Sequence, residues 1–222
     1  MKFILALQIL FGISIASRAQ SSLDQPKSEL KGSIIIEDET GISHSLREFS
    51  GHSLLLVPIY AKCHGSCPVI IEKLEHDLAL SGADSSNFRV LIFSFDPEDT
   101  TKDLREFRVK HNVPPLWVIA HATPTQTANL MEGIGVRTIV DPSTKEFAHP
   151  DVISILGPQL RNSKTLGRAE ISPATLRAEL KWADEHGSEL SKEMMSYLLP
   201  VGILGCLFSV FFLATRMTSP KS

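Results

Sequence analysis

The chain has 222 residues, with 22 lysines and arginines against 25 aspartates and glutamates, for a formal net charge of −3. This near balance, without a basic stripe, argues against a nucleic-acid-binding protein. The three cysteines are too few for a small scaffold held together by disulfides, so they favour a chemical role over a structural one.

The first 19 residues have the pattern of a secretory signal peptide. Lys2 supplies a positive start, residues 3–15 are largely apolar, and Ser17 and Ala19 place small side chains at the cleavage positions. We therefore predict that residues 1–19 are a cleaved signal peptide that exports the chain, with an uncleaved membrane anchor as the alternative. A polar leader, residues 20–33, follows it.

Residues 34–188 have the length of one folded domain. Apolar runs of strand length alternate with segments that begin with helix-capping residues, which is typical of an α/β sheet buried on both faces. Their order predicts a thioredoxin-like layered domain. Pro58 predicts a frayed end or an edge position for its strand, because proline cannot donate a sheet hydrogen bond. The predicted strands are residues 34–36, 53–60, 88–95 and 152–156, and the predicted helices are residues 68–78, 100–111, 123–131 and 172–186.

A distinctive motif follows the second predicted strand, where three residues separate Cys63 from Cys67 and Pro68 comes next. Proline is tolerated in the first turn of a helix, so we expect Cys67 at a helix start and Cys63 in the loop before it. The positive end of the helix dipole stabilises thiolates there. Two soft sulfurs in this position suit a thiophilic metal or a reversible disulfide. A structural disulfide is the alternative, although so short a loop gains little stability from closure.

The C-terminal part predicts a membrane anchor. Residues 197–214 carry no charge and approach the roughly 20 residues that cross a bilayer, after a polar connector at residues 189–196. Arg216 and Lys221 lie in a tail of residues 215–222, and positive charge marks the cytoplasmic side. We therefore predict a single-pass cell-membrane protein whose soluble domain lies on the exported, periplasmic or extracytoplasmic side.

Further motifs form an ordered set along the predicted domain. They are Asp38-Glu39-Thr40-Gly41 with Leu46 and Phe49, Cys63-x-x-x-Cys67-Pro68, Ser94-Phe95-Asp96-Pro97-Glu98-Asp99-Thr100, Trp117, Thr123-Pro124, Gly135-Val136, His149 and Gly157-Pro158. Together they resemble the Sco/SenC family of membrane-anchored copper-handling proteins. The resemblance covers roughly residues 34–183, and the ordered set is more specific than the cysteine motif alone.

The resemblance implies a thioredoxin-like fold and a copper site of two thiolates and one imidazole, carried over here to Cys63, Cys67 and His149. It implies a metallochaperone rather than an enzyme, one that delivers copper during assembly of a respiratory oxidase, most directly cytochrome c oxidase. Its partner would be the copper subunit of a membrane oxidase or another copper carrier. The chain departs from the family at Ala148, where an aspartate often precedes the histidine. A hydrogen bond that orients the imidazole is therefore missing or comes from elsewhere.

Other interpretations of these residues stay open. The cysteine pair also suits a thiol-disulfide oxidoreductase that reduces a partner's cysteines, or a redox or copper sensor. Zinc is a weaker candidate than copper, because structural zinc normally has four protein ligands. His149 has the alternative of an ordinary loop histidine, and Asp96 with Pro97 indicates either a turn or the rim of the site. His64 and His121 are predicted to be surface histidines rather than ligands.

Overall fold

The computed structural model describes residues 33–143 and 146–187. The predicted signal peptide, connector, apolar segment 197–214 and tail lie outside these residues, as does nearly all of the leader. Within the described ranges, no helix combines the length and the apolar character needed to cross a membrane.

Strands and helices alternate along the described chain. In chain order they are β1 (Ile35–Asp38), β2 (Ser43–Ser45), β3 (Ser53–Ile59), α1 (Ser66–Ser81), β4 (Phe88–Ser94), α2 (Thr101–Lys110), β5 (Val118–His121), α3 (Pro124–Gly133), β6 (Ile139–Val140), β7 (Phe147–Ala148), β8 (Val152–Leu156), β9 (Asn162–Gly167) and α4 (Pro173–Gly187). Short 3-10 helices cover Leu46–Phe49 and Arg168–Glu170. The eight predicted strands and helices are all present, with ends that differ by a few residues.

Seven strands form one mixed sheet in the order β2-β1-β5-β4-β3-β8-β9, and β6 pairs with β7 in a separate hairpin. β3, β4 and β5 are parallel, and β8 runs antiparallel to β3. The carboxyl ends of β3 and β4 therefore lie at the same edge of the sheet as the start of β8. Chain segments that leave β3 and β4 or enter β8 meet at this edge.

Both faces of the sheet are covered, which explains the continuous apolar run of β3. Leu55, Val57 and Ile59 pack with residues of α1, α2 and α4, whereas Leu54 and Leu56 pack with residues of α3. Successive side chains of a strand point to opposite faces, so a strand covered on both sides has no polar positions to alternate with. Burying each such side chain contributes about 1.5–3 kcal/mol to folding.

Pro58 lies one residue before the end of its strand and is unpaired on one side, in line with the predicted edge position, but the strand does not fray there. It lies within β3, is buried, and is aligned with Phe93 of the parallel neighbour β4. The carbonyl of Ile59 accepts the N–H of Phe95 beyond β4, so the nitrogen of the preceding residue points away from β4. On that other side, pairing with β8 stops at Leu56. The missing donor of Pro58 therefore leaves no sheet hydrogen bond unmade.

Local capping explains where the helices begin. Thr100 precedes α2, where its hydroxyl accepts the N–H of Asp103 and the Asp103 carboxylate accepts the Thr100 N–H. This reciprocal pair satisfies donors that a helix start leaves free. α1 begins at Ser66, two residues earlier than Pro68 had predicted, so Cys67 lies inside its first turn. The apolar faces of the helices pack on the sheet: Leu104, Phe107, Leu176 and Leu180 are buried, as is Trp117 before β5.

Candidate metal centre

The loop between β3 and α1 brings the two cysteines together. The Cys63 N–H donates to the Tyr60 carbonyl at 3.1 Å, which turns the chain directly after the strand. The Cys67 N–H then donates to the Cys63 sulfur at 3.4 Å. Gly65 is the residue before α1 and has no side chain to cap the helix. The Cys63 sulfur therefore takes the position of a helix cap, where negative charge is stabilised.

Both cysteines are free thiols inside the hydrophobic core. Cys63 is 3% exposed and Cys67 is fully buried, and both pack with residues of α1 in the same apolar cluster. The hydrogen bond between the two sulfurs lowers the pKa of Cys63 and raises the pKa of Cys67, and burial reinforces the second effect. The Cys63 thiol therefore loses its proton readily, whereas the Cys67 thiol keeps its proton. Together the two close sulfurs carry a single negative charge.

His149 reaches the same place from a distant part of the chain. It lies between β7 and β8, and its Nε2 atom is 3.7 Å from the sulfur of Cys67, 82 positions away in the sequence. Its Nδ1 atom is 3.1 Å from the carbonyl of Pro150. A carbonyl only accepts, so Nδ1 carries the proton and Nε2 is the nitrogen available to a metal. A hydrogen bond to the Cys63 sulfur raises the pKa of His149 against the opposing effect of burial.

The three predicted site residues thus form one cluster. The Cys63 and Cys67 sulfurs and one nitrogen of His149 all lie within 4.8 Å of one another. Two sulfurs and an imidazole nitrogen suit copper, whereas a structural zinc site would need a fourth protein ligand. In the described part of the chain, no carboxylate or further histidine joins the cluster. The arrangement fits a metal held by three protein ligands with one position open for exchange.

Asp99 is a supporting residue to which the sequence assigned no role. It is 3% exposed, and its Oδ2 accepts the N–H of Ala61 at 2.6 Å and the hydroxyl of Ser94 at 2.5 Å. Burial raises its pKa, and the hydrogen bonds from Ser94 and Ala61 oppose that rise. These contacts link the end of β4 to the loop that carries Cys63. The only sequence signal was its place in the 94–100 motif.

Asp96, by contrast, has the turn role that its residue type had allowed. Its Oδ1 accepts the N–H of Glu98 at 2.9 Å, and its own N–H donates to Ser94. The residue as a whole is 8% exposed. His64 lies exposed on the cysteine loop and His121 lies on β5, half-buried. Neither belongs to the cluster of three.

Two aromatic rings contact the imidazole of His149, and a third ring packs behind them. The ring centroids of Tyr60 and Phe95 lie 5.8 Å and 5.3 Å from that of His149, both in edge-to-face arrangements. Phe147 packs on both of these rings, each at 5.2 Å. No sequence pattern had indicated a role for these side chains at the site. The one available signal was that Tyr60 and Phe95 follow the strands that end beside the cysteines.

Comparisons with known proteins agree with this arrangement. The model of the family described as SCO1/SenC matches residues 24–184. No curated protein shows significant sequence similarity to the chain. A structure described as a putative electron transfer protein from Aquifex aeolicus VF5 is 25% identical, with a TM-score of 0.67, and the match covers 72% of this chain and 94% of that one.

Two further solved structures have the same fold at lower identity. ScoI of Bradyrhizobium japonicum, solved with copper bound, is 20% identical over 69% of this chain and 98% of its own, with a TM-score of 0.58. BsSco, described as a Sco family cytochrome c oxidase assembly protein with a disulfide switch, is 18% identical over 68% and 91%, with a TM-score of 0.57. The predicted thioredoxin-like fold is thus confirmed as the Sco form of that fold, and the chain belongs to the SCO1/SenC family.

Proposed function

We propose that this protein binds one copper ion through the sulfurs of Cys63 and Cys67 and the Nε2 atom of His149. It passes that ion to a copper subunit of cytochrome c oxidase or exchanges it with another copper carrier. The observation that carries the proposal is the approach of these three ligand atoms to within 4.8 Å of one another from distant parts of the chain. ScoI of Bradyrhizobium japonicum, which has the same fold, was solved with copper bound.

The chemistry of the three ligands favours a metal that is delivered rather than kept. Thiolate and imidazole both bind copper well. A three-ligand site leaves a position that a partner's ligand can occupy before the original bonds break, so the ion need not be released into solution. His149 is partly exposed while both cysteines are buried. We expect a partner to approach from the histidine side.

Copper stoichiometry and X-ray absorption on the full chain test the binding step. The reduced protein would be solubilised in detergent and loaded anaerobically, with the Cys63→Ala, Cys67→Ala double variant and the His149→Ala variant alongside. We expect one copper per chain, with two sulfurs and one nitrogen as ligands, and no stoichiometric binding in the double variant. Full copper retention by the double variant would overturn the proposal.

Delivery needs its own measurement. Copper-loaded protein would be mixed with the metal-free copper domain of an oxidase subunit, and the metal content of each would be determined after separation. We expect copper to move to the oxidase domain faster than it dissociates into a competing chelator. Transfer that occurs only at the rate of dissociation would argue against a direct handover.

A second function, reduction of a partner's disulfide, is favoured by the lowered pKa of Cys63. The Cys63 thiolate would attack the partner's disulfide and release one partner thiolate, and Cys67 would then displace the second. The products are a Cys63–Cys67 disulfide and a reduced partner. The 3% exposure of Cys63 works against this attack. Stoichiometric reduction of an oxidase-subunit disulfide that survives in His149→Ala would favour this function over copper delivery.

We also propose that the protein is exported and held in the membrane by residues 197–214, with the Sco domain outside. The support is the apolar, uncharged composition of that segment and the basic residues after it. Reporter fusions after residue 188 and after residue 222 test the orientation. We expect a reporter that is active only outside the cytoplasm to function at the first position and not at the second.

A further inference from the structure

The hydrogen bond at Nδ1 of His149 does not by itself hold the imidazole against the cysteines. Its acceptor is the carbonyl of Pro150, the next residue in the chain. That carbonyl moves with the backbone of His149, so the bond selects the ring nitrogen that carries the proton but does not fix the ring relative to another element. The preceding residue, Ala148, is exposed and has no polar side chain to help.

Besides the approach of its Nε2 atom to the sulfurs, the contacts that join His149 to the rest of the site are aromatic. Tyr60 directly follows β3 and Phe95 directly follows β4, so their rings stand at the carboxyl ends of two paired central strands. The ring of Tyr60 meets that of His149 at 90°, and the ring of Phe95 meets it at 63°. Phe95 is 4% exposed, so its ring is fixed by the packing of the core.

These rings are tied to the same backbone that positions the cysteines. The Phe95 N–H donates to the carbonyl of Ile59, and the Cys63 N–H donates to the carbonyl of Tyr60. The aromatic contacts to His149 and the turn that places Cys63 therefore share one short stretch of chain. A ring held against Tyr60 and Phe95 is held at a fixed distance from the sulfurs as well.

We propose that Tyr60 and Phe95, backed by Phe147, are positioning residues that hold His149 with its Nε2 atom directed at the two sulfurs. They supply by edge-to-face packing the orientation that metal-binding histidines commonly take from a hydrogen-bonding carboxylate. The proposal concerns the proposed copper site and rests on that function for its metal-bound consequences. Its consequence for the metal-free protein, a fixed imidazole, does not depend on copper.

Phe95→Leu is the first test, with Phe93→Leu as the matched control. Phe93 lies on β4, two residues before Phe95. It is fully buried and belongs to the same apolar cluster as Phe95, but the structure gives it no ring contact with His149. We expect Phe95→Leu to weaken copper binding by about 10-fold, a typical cost of losing an outer-shell partner, and to reduce the nitrogen contribution to the X-ray absorption spectrum. Phe93→Leu should lower stability without changing the copper ligands.

A double-mutant cycle with His149→Ala separates positioning from general destabilisation. If Phe95 acts through His149, then Phe95→Leu should cost little further copper affinity once the imidazole is gone. An equal loss of affinity in the presence and absence of His149 would overturn the proposal. So would an unchanged nitrogen contribution in Phe95→Leu.

Tyr60 gives an independent variant at a less buried position. Tyr60→Leu removes the ring, whereas Tyr60→Phe keeps the ring and removes the hydroxyl group, which hydrogen-bonds to the Cys63 sulfur and not to His149. In the metal-free protein, nitrogen-15 NMR of the His149 ring should show one tautomer with restricted motion for wild type and Tyr60→Phe, and averaged signals for Tyr60→Leu. Identical ring signals in Tyr60→Leu and wild type would contradict the proposal. If wild type bound no copper, the proposed function would fail while this NMR comparison still tested the positioning.

Discussion

The cysteine half and the histidine half of the site are built in different ways. Cys63 and Cys67 are four positions apart, buried in the main apolar cluster and joined by a hydrogen bond within one loop and helix start. His149 is partly exposed, lies outside any helix or strand, and meets Cys67 across 82 positions of sequence. The core of the domain thus fixes the sulfurs, whereas the partly exposed imidazole lies against two aromatic rings at the edge of that core.

This difference suits a site that must both hold a metal and release it. In the proposed copper site, the sulfurs, which are buried, would supply most of the binding strength. The imidazole, which is partly exposed, would be the ligand that a partner's ligand replaces first. We therefore expect changes in the cysteine half to abolish binding, and changes in the histidine half to weaken it and to alter exchange.

Replacing either cysteine should have the largest effect. Cys63→Ser or Cys67→Ser removes a soft ligand, so copper affinity should fall by more than the roughly 100-fold that losing an outer-shell partner can cost. Competition with a chelator of known affinity measures this directly. Equal affinities for Cys67→Ser and His149→Ala would remove the distinction between the two halves.

Loosening the cysteine loop at Asp99 should have the next largest effect. Asp99→Ala leaves the Ala61 N–H and the Ser94 hydroxyl without their acceptor, which should lower the free energy of unfolding by about 2–3 kcal/mol. Urea denaturation measures the change. Asp103→Ala is the control: it removes the reciprocal cap of α2, leaves the hydrogen bonds to Ala61 and Ser94 in place, and should cost about 1 kcal/mol. Copper affinity should fall in Asp99→Ala alone; a fall in both variants would argue against a specific role in the loop.

Removing the imidazole should have a smaller effect than removing a sulfur. His149→Ala should keep stoichiometric copper on the two cysteines, with an affinity about 10- to 100-fold lower, comparable to the loss of an outer-shell partner. Copper should also exchange faster with a chelator, because the site is more open. Stopped-flow measurement of copper removal tests the rate. A variant that lost copper as completely as Cys67→Ser would show that the histidine half is as essential as the cysteine half.

His44 lies on β2, at the opposite edge of the sheet from β8 and β9. Unlike His149, it is held by two carboxylates, and this predicts that the stability of the protein depends on pH. Its ring nitrogens lie 2.9 Å from Asp38 and 3.1 Å from Glu48, and these hydrogen bonds raise the pKa of His44. Although burial opposes ionisation, hydrogen bonds from Thr40 and His44 lower the pKa of Asp38 to about 2.

The signs of these shifts define a pH window. The contribution of His44 to folding stability is complete below its ordinary pKa of about 6.5 and is lost as pH rises through the raised pKa. The contribution of Asp38 is present above about pH 3.9 and is lost as pH falls towards 2. His44→Ala should therefore cost about 0.5–1 kcal/mol near pH 5 and less near pH 9. Thermal unfolding of the wild type and of His44→Ala between pH 5 and pH 9 tests this prediction. A loss of stability that stayed equally large at high pH would contradict the raised pKa of His44.

Much of the framework could be predicted because it depends on local patterns. A strand buried on both faces leaves an uninterrupted apolar run, which identified β3 and β4. Threonine or proline at a helix start identified α2 and α3. Pro58 indicated a position without a hydrogen-bonding partner, but which side of β3 is unpaired there depends on where β8 begins, which is a property of strand pairing and not of residue type. The motif resemblance identified His149, although local spacing gave no reason to place it beside the cysteines.

The sequence by itself determined the cysteine half of the site. Two residues four positions apart across a helix start lie close together whatever the rest of the chain does, so their spacing and Pro68 were enough to predict it. Only the tertiary structure decided the histidine half, because it requires β8 to begin beside the end of β3 and the rings of Tyr60 and Phe95 to meet His149 there. Contacts between such distant residues depend on strand order and core packing, and these are set by the burial of the whole chain rather than by any local pattern.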